Sequence, residues 1–225
     1  MSYTEIEFNQ DLVDEAHKYN EFRNKIKIIL KDNNLEFDKF TITNRDGFDG
    51  YIAEKTFLNY LKKISNPKSI IRIWSDLHNL SEMIVKKIKE YPNGQAFNEE
   101  ELQEMKIYFY DKWDIEIDGK KIDVKTAATN LIPHNYWTYG IPKIQIEKDG
   151  KDFIVLNYLV YDADPKFNKN SRPLKCVLIG FLSIDYIRKH CPILHKNKAA
   201  GHEYQIDNYE TEIRKYENIK LLVNL

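Results

Sequence analysis

The chain has 225 residues, a formal net charge of -1 and an apolar share of 42%, enough for one large domain with a real hydrophobic core. The near-neutral balance argues against a protein that coats nucleic acid non-specifically, although it leaves room for a local basic groove. No apolar run approaches the roughly 20 residues that span a bilayer, and the amino terminus is polar and acidic rather than signal-like, so a soluble, cytoplasmic protein without a membrane partner is expected.

Residues from about Asp11 to Asn33 are predicted as a helix, because Leu12, Ala16, Tyr19, Phe22, Ile26, Ile29 and Leu30 recur at helical spacing. The stretch Phe37 to Tyr51 carries Asn44, Asp46, Gly47, Asp49 and Gly50 and reads as a loop. It leads into a helix on which Phe57, Leu58 and Leu61 form the buried stripe, with Glu54 beside it. Asn66-Pro67 offers an N-cap and a first-position proline for one long helix running through Ile70, Trp74, Leu77, Ile84 and Ile88 to the stop at Pro92-Asn93-Gly94. Asn98 followed by Glu99, Glu100 and Glu101 starts a shorter helix to about Ile107, its acids matched to the positive end of the helix dipole.

Next comes Trp113-Asp114-Ile115-Glu116-Ile117-Asp118-Gly119-Lys120-Lys121-Ile122-Asp123-Val124-Lys125. Asp118-Gly119 is a strong two-residue hairpin signal, since a type I′ turn needs positive φ at both central positions. The pairing it sets places Ile117 against Lys120, Ile115 against Ile122 and Asp114 against Asp123. A period of two then sends Trp113, Ile115, Ile117, Ile122 and Val124 to one face, and Asp114, Glu116, Lys121, Asp123 and Lys125 to the other. Glu116 opposite Lys121 is ordinary cross-strand pairing. Two facing carboxylates at roughly 5 Å are unfavourable unless a cation compensates them, and Mg²⁺ takes oxygen from one or two carboxylates and fills its remaining positions with water and phosphate. A plain solvated hairpin face is the alternative reading of the same residues.

Asp, a short gap, then Asp-x-Lys across a hairpin resembles the PD-(D/E)xK nuclease superfamily. The resemblance implies that Asp114 and Asp123 bind Mg²⁺, with Mn²⁺ as a possible substitute, and that Lys125 assists the nucleophilic water. It further implies that Glu54, on the preceding helix in Gly50-Tyr51-Ile52-Ala53-Glu54-Lys55-Thr56-Phe57-Leu58, is a third acid of the site. On the residues alone, Glu54 also fits a capping or solvated carboxylate. Trp113 replaces the family's customary Pro, and the second acid is Asp rather than the commoner Glu. Neither change removes a ligand.

Beyond Lys125, Thr126 to Asn130 is expected to leave the strand. Pro133-His134-Asn135-Tyr136-Trp137 is an aromatic loop that either covers a core edge or contacts DNA. Ile141 to Glu147 and Phe153 to Tyr161 read as strands joined at Asp149-Gly150, and Asp162 to Pro173, with Lys166, Lys169 and Arg172, reads as an exposed connector or a DNA-contacting loop. Lys175 to Leu182 reads as a buried central strand, Ser183 as the cap of a helix from Ile184 to His190, and Glu203 to Leu225 as a final strand and helix. His190, Cys191, His195 and His202 match no zinc spacing. Cys176 and Cys191 form no CxxC pair and are expected as free thiols in a reducing compartment.

The expected fold is α/β: a central mixed β-sheet flanked by helices, restriction-endonuclease-like. It is expected as one nuclease domain over 1-225, with 1-50 and 66-110 as helical elaborations around the catalytic core. The resemblance implies a Mg²⁺-dependent endonuclease acting on double-stranded DNA. Chain size, the lack of an ATPase motif and the segments left over for base recognition favour the type II restriction branch, with a homodimer for double-strand cleavage. The alternatives are a catalytically inactive nucleic-acid-binding module on the nuclease fold and a non-specific or structure-specific nuclease.

Overall fold

The computed structural model describes residues 3-35, 46-148, 150-195 and 206-224. The fold is α/β. In chain order its elements are β1 (Thr4–Glu7), α1 (Gln10–Asp32), α2 (Asp46–Ile64), β2 (Ile71–Ile73), α3 (Trp74–Leu77), α4 (Glu82–Glu90), α5 (Glu99–Phe109), β3 (Ile115–Ile117) and β4 (Lys120–Thr129). There follow β5 (Thr138–Pro142), α6 (Lys143–Glu147), β6 (Phe153–Tyr161), β7 (Pro173–Ser183), α7 (Ile184–His190), β8 (Ile193–Leu194), β9 (Asn208–Glu212) and α8 (Ile219–Leu222).

Six strands form a mixed sheet in the order β1-β7-β6-β4-β3-β2, and β5-β9-β8 form a smaller one. Only β4 and β6 run parallel in the large sheet; its other neighbours are antiparallel. The segments 1-50 and 66-110 supply, besides helices, its two edge strands, β1 and β2.

Both faces of the large sheet are packed. On one, Ile115, Ile117, Ile122 and Val124 meet Val155 and Leu159 of β6 beneath Phe57 and Leu61 of α2. On the other, Ile154, Leu156 and Tyr158 of β6 pack against Ile184 and Ile187 of α7 and Tyr209 of β9. Each such side chain removed from water contributes about 1.5–3 kcal/mol. A third cluster ties the carboxyl half of α1 (Ile26, Ile29, Leu30) to Ile84 and Ile88 of α4 and to Met105 and Phe109 of α5.

The register between β4 and β6 positions the site. Asp123 lies beside Ile154 and Lys125 beside Leu156, so the face that is apolar and covered on β6 is charged on β4. There it opens to a cleft of about 1050 Å³. The alternation read from the hairpin thus separates a core face from a polar one, with Trp113 set edge-on to Trp74 at a centroid distance of 5.3 Å.

Several expected elements differ. The single helix from Asn66-Pro67 to Ile88 does not form. Asn66 closes a turn instead, its side chain accepting the Lys68 N–H at 2.9 Å and its carbonyl the Ser69 N–H at 2.9 Å. The β-branched Ile71 and Ile73 then pair with Ile117 and Ile115 of β3, a setting that suits them better than a helix. One short turn of helix, α3, follows, and the next helix, α4, starts at Ser81, which accepts the Ile84 N–H at 3.3 Å.

Strand β4 does not end after Lys125. Residues Thr126 to Thr129 continue its parallel ladder against Asn157 to Val160. Ile141 to Glu147 is not a strand: β5 ends at Pro142, and α6 follows. Nor does a hairpin join it to β6. This segment is the crossover between parallel β4 and β6, which a two-residue turn cannot make. Asp149 lies outside the described residues, and Gly150 has φ +106°.

The expected loop Phe37 to Tyr51 is helical from Asp46, its part at 37-45 lying outside the described residues. Of the expected tail, 203-205 lies outside as well, together with His202, and the remainder supplies β9 and α8. Helices α1, α5 and α7 and strands β6 and β7 fall where the sequence places them, to within a residue or two. Among the described residues no helix is long and apolar enough to cross a membrane.

Candidate active site

The hairpin turn has positive φ at both central residues, 50° at Asp118 and 84° at Gly119. Asp118 also accepts the Ile70 N–H at 2.8 Å, which anchors the turn to the chain entering β2. The register is as expected at Ile117 with Lys120 and Ile115 with Ile122, and Glu116 stands opposite Lys121. The ion pair of Glu116 is nevertheless with Arg72 of β2, at 3.1 Å.

Asp114 does not face Asp123 as a strand pair, because the β3 ladder stops at Ile115. Its N–H donates to the Ile122 carbonyl at 2.9 Å and its carbonyl accepts the Trp74 N–H at 3.1 Å. Its carboxylate accepts the Val124 N–H at 2.5 Å. A side-chain oxygen therefore binds an amide of β4 that a strand partner's carbonyl ordinarily takes. Asp114 is held at the cleft wall by three bonds, and Asp123 lines the same cleft.

Asp123 is 5% exposed and lies between two ammonium groups. Lys125 Nζ is 2.7 Å from one carboxylate oxygen, and Lys151 Nζ contacts the other. Burial opposes ionisation of Asp123, but Lys125 and Lys151 outweigh it and hold its pKa below the ordinary value. Burial likewise opposes the charge on Lys125, and Asp123 and Asp114 outweigh it, so the Lys125 pKa is raised and the amine stays protonated.

The same cleft also holds the carboxyl groups of Glu54, Asp111 and Asp114. Burial, then Glu54, Asp111 and Asp123, pushes the pKa of Asp114 well up. Burial and Asp111 push Glu54 up to about 7, against the opposing pull of Arg23 and Lys55. Arg23 is fixed by donation to the Tyr19 hydroxyl and to the Phe109 carbonyl, each at 3.1 Å, and by stacking 4.5 Å over the Phe109 ring. Glu54, Asp111, Asp114, Asp123, Lys125 and Lys151 all line one cleft. The four residues expected for the site are thus brought together.

Asp111, Lys151 and Arg23 join the site without a local signal in the sequence. Lys151 precedes β6 and reaches Asp123 only because β6 lies beside β4, and Arg23 arrives from α1. Asp111 stands three residues before Asp114, in the link from α5 to β3. A carboxylate that close to the hairpin was the one available hint.

The donor set fits a hard divalent cation in part. Among the described residues, no three His, Cys, Asp or Glu side chains are grouped so as to enclose a metal by themselves. Mg²⁺ does not need such a cage, since one or two carboxylates with water and phosphate suffice. The crowding that raises Asp114 and Glu54 is the imbalance such an ion corrects.

A pH signature follows. Because the pKa of Glu54 rises from 4.5 unfolded to about 7 folded, its ionisation penalises the fold. The penalty is absent below about 4.5, grows through the interval and is complete above about 7. Glu54→Gln removes it. The variant should match wild-type stability near about pH 4 and exceed it by up to about 3 kcal/mol near about pH 8 without metal. Chemical denaturation at both pH values measures this, and equal stabilities at the higher pH count against a strained Glu54.

A scan of protein-family models, a search of curated proteins and a search of solved structures each return no match for this chain.

Proposed function

We propose that the protein is a metal-dependent nuclease that hydrolyses phosphodiester bonds of double-stranded DNA, with Mg²⁺ as its ion and Mn²⁺ as a substitute. The observation that carries this reading is the meeting of Asp114, Asp123, Glu54 and Lys125 on the wall of one open cleft, the set for which the hairpin resembles the PD-(D/E)xK superfamily. Asp114 and Asp123 would hold the ion, with Glu54 within reach of a second position. A divalent cation bound there lowers the pKa of water and offsets charge on the phosphate.

The chain's own groups account for the rest. Lys125, held protonated by its carboxylate neighbours, is an orienting donor for the attacking water and a counter-charge for the phosphate, not a base. Glu54, with a pKa near 7, is suited to take up a proton near neutrality. The Val124 amide fixes Asp114, so the acid does not have to be ordered when substrate arrives.

Within this class a type II restriction endonuclease is the branch proposed. Cutting both strands of a symmetric site calls for two copies related by a twofold axis, and the free thiols Cys176 and Cys191 suit the cytoplasm. One observation favours a non-hydrolytic binding module instead: both oxygens of Asp123 are already engaged by lysines.

Incubating the protein with plasmid DNA separates the readings. Discrete fragments with Mg²⁺ and none with EDTA are expected. A smear indicates a non-specific or structure-specific nuclease. Intact plasmid with both Mg²⁺ and Mn²⁺ rejects hydrolysis and leaves the binding module.

A further inference from the structure

Asp123 has one more cation than a catalytic Asp-x-Lys pair requires. Lys125 stands two residues along the same face of β4 and is positioned by that strand. Lys151 comes from a different part of the chain, directly after Gly150 with its φ of +106°. Its side chain is only 9% exposed. A buried ammonium normally persists only when it is paired. Among the described residues, Lys151 Nζ is paired with the carboxylate of Asp123.

The charge count at this spot differs between the free protein and the loaded one. With Asp123 ionised and both lysines protonated, the group carries net +1, and the acids Asp114 and Glu54 line the same cleft. A divalent ion between Asp114 and Asp123 brings two more positive charges to within a few ångströms of both ammoniums. At that separation each like-charge pair is unfavourable even at an effective dielectric near 20. One lysine must then yield its contact with Asp123. Lys125 is fixed in the β4 ladder, whereas Lys151 lies outside β6, the next strand. An ammonium released into a cleft that admits a phosphodiester has an anionic partner available there.

We infer that Lys151 is a substrate-phosphate ligand held in reserve: it neutralises Asp123 in the free protein, and it transfers to a phosphate oxygen of bound DNA when a divalent cation occupies Asp114 and Asp123. This rests on the nuclease reading above and adds to it a residue outside the Asp-x-Lys motif. It also accounts for the double engagement of Asp123 as a property of the free state. Lys151 acts by exchanging partners, with no bond made or broken covalently.

Lys151→Met keeps the buried aliphatic stem and removes the charge, and Lys151→Arg keeps the charge. Two measurements on the full chain decide the matter: Mn²⁺ affinity by titration calorimetry without DNA, and binding of a short DNA duplex by fluorescence anisotropy with Ca²⁺. Lys151→Met should bind Mn²⁺ about tenfold more tightly than wild type and the duplex severalfold more weakly. Lys151→Arg should stay near wild type in both. Unchanged or weaker Mn²⁺ binding by Lys151→Met, or unchanged duplex binding, overturns the inference. If wild type binds Mn²⁺ and Asp114→Asn does not, such a result sinks the role of Lys151 alone. If neither wild type nor Lys151→Met binds Mn²⁺, the metal site and the inference fall together.

Discussion

Asp114→Asn is expected to lower Mg²⁺-dependent DNA cleavage by at least about a thousandfold and, in the same protein without metal, to raise thermal stability. The two effects share one cause. Burial and the charges of Glu54, Asp111 and Asp123 hold the Asp114 pKa well above its ordinary value, so the ionised carboxylate strains the free fold at neutral pH. Its folded pKa exceeds its unfolded one, and the strain therefore grows as pH rises toward the folded value. Asn retains an oxygen to accept the Val124 N–H that Asp114 now accepts at 2.5 Å, and it carries no charge. Added Mg²⁺ should raise the melting temperature of the wild type, since an ion that binds only the folded state stabilises it by mass action, and should leave Asp114→Asn unmoved. Because Glu54 raises the pKa of Asp114, the gains from Glu54→Gln and Asp114→Asn should sum to more than the double variant achieves. A variant that cuts plasmid at the wild-type rate removes Asp114 from the site. A variant less stable than wild type shows that the carboxylate is held there for its bonds and not against its charge.

What the sequence made legible was local. The turn at Asp118-Gly119, the cap at Ser183 and the helix start at Asn98 are each determined by neighbours within a few positions, and they form where the chain pattern places them. The hairpin alternation was enough to group Asp123 with Lys125 and to set both against the Ile face. What failed depended on distant partners. Ile70, Ile73, Trp74 and Leu77 recur at helical spacing, and only β3, some forty residues further along, makes a strand of Ile71 to Ile73. Residues 126-129 look like an exit from β4 until β6 lies parallel beside them. The site divides in the same way. Asp114, Asp123 and Lys125 lie within one hairpin and could be read directly, and Glu54 entered through resemblance. Lys151 and Arg23 could not be read, because the crossover through β5 and α6 and the packing of α1 against α5 are what bring them near. Even the pairing of Asp114 with Asp123 was right in neighbourhood and wrong in detail, since a carboxylate that binds the amide of Val124 takes its residue out of the ladder.

Gly180→Ala is expected to destabilise the fold by about 3 kcal/mol, the largest loss expected from a change this small. Gly180 is buried in β7 at φ +154°, where an added Cβ would lie 2.2 Å from the Glu217 carbonyl oxygen and 3.0 Å from the Tyr216 Cβ. The nearer atom is backbone, so no side-chain rotation relieves the clash. The close approach is needed because Phe181 and Glu217 exchange both backbone hydrogen bonds, at 3.0 and 2.9 Å, and this seats the carboxyl-terminal segment on the sheet. That segment carries Ile219 and Leu222 of α8 into the same core that Ile115, Ile122 and Phe57 fill. The strand accommodates the approach with a register shift, Leu156 standing opposite Gly180 and Asn157 opposite Leu178. In Gly180→Ala either the pair of bonds lengthens or β7 moves, and both expose apolar surface of α8. Denaturant titration should show the lower midpoint, and hydrogen exchange should show protection lost first at the Phe181 and Glu217 amides. The hairpin is separated from that contact by β6 and keeps its bonds, so Mg²⁺-dependent cleavage measured well below the new melting temperature should stay within about twofold of wild type. A midpoint unchanged from wild type would falsify the close approach at Gly180, and cleavage lost in step with stability would show that the site depends on the carboxyl-terminal seat.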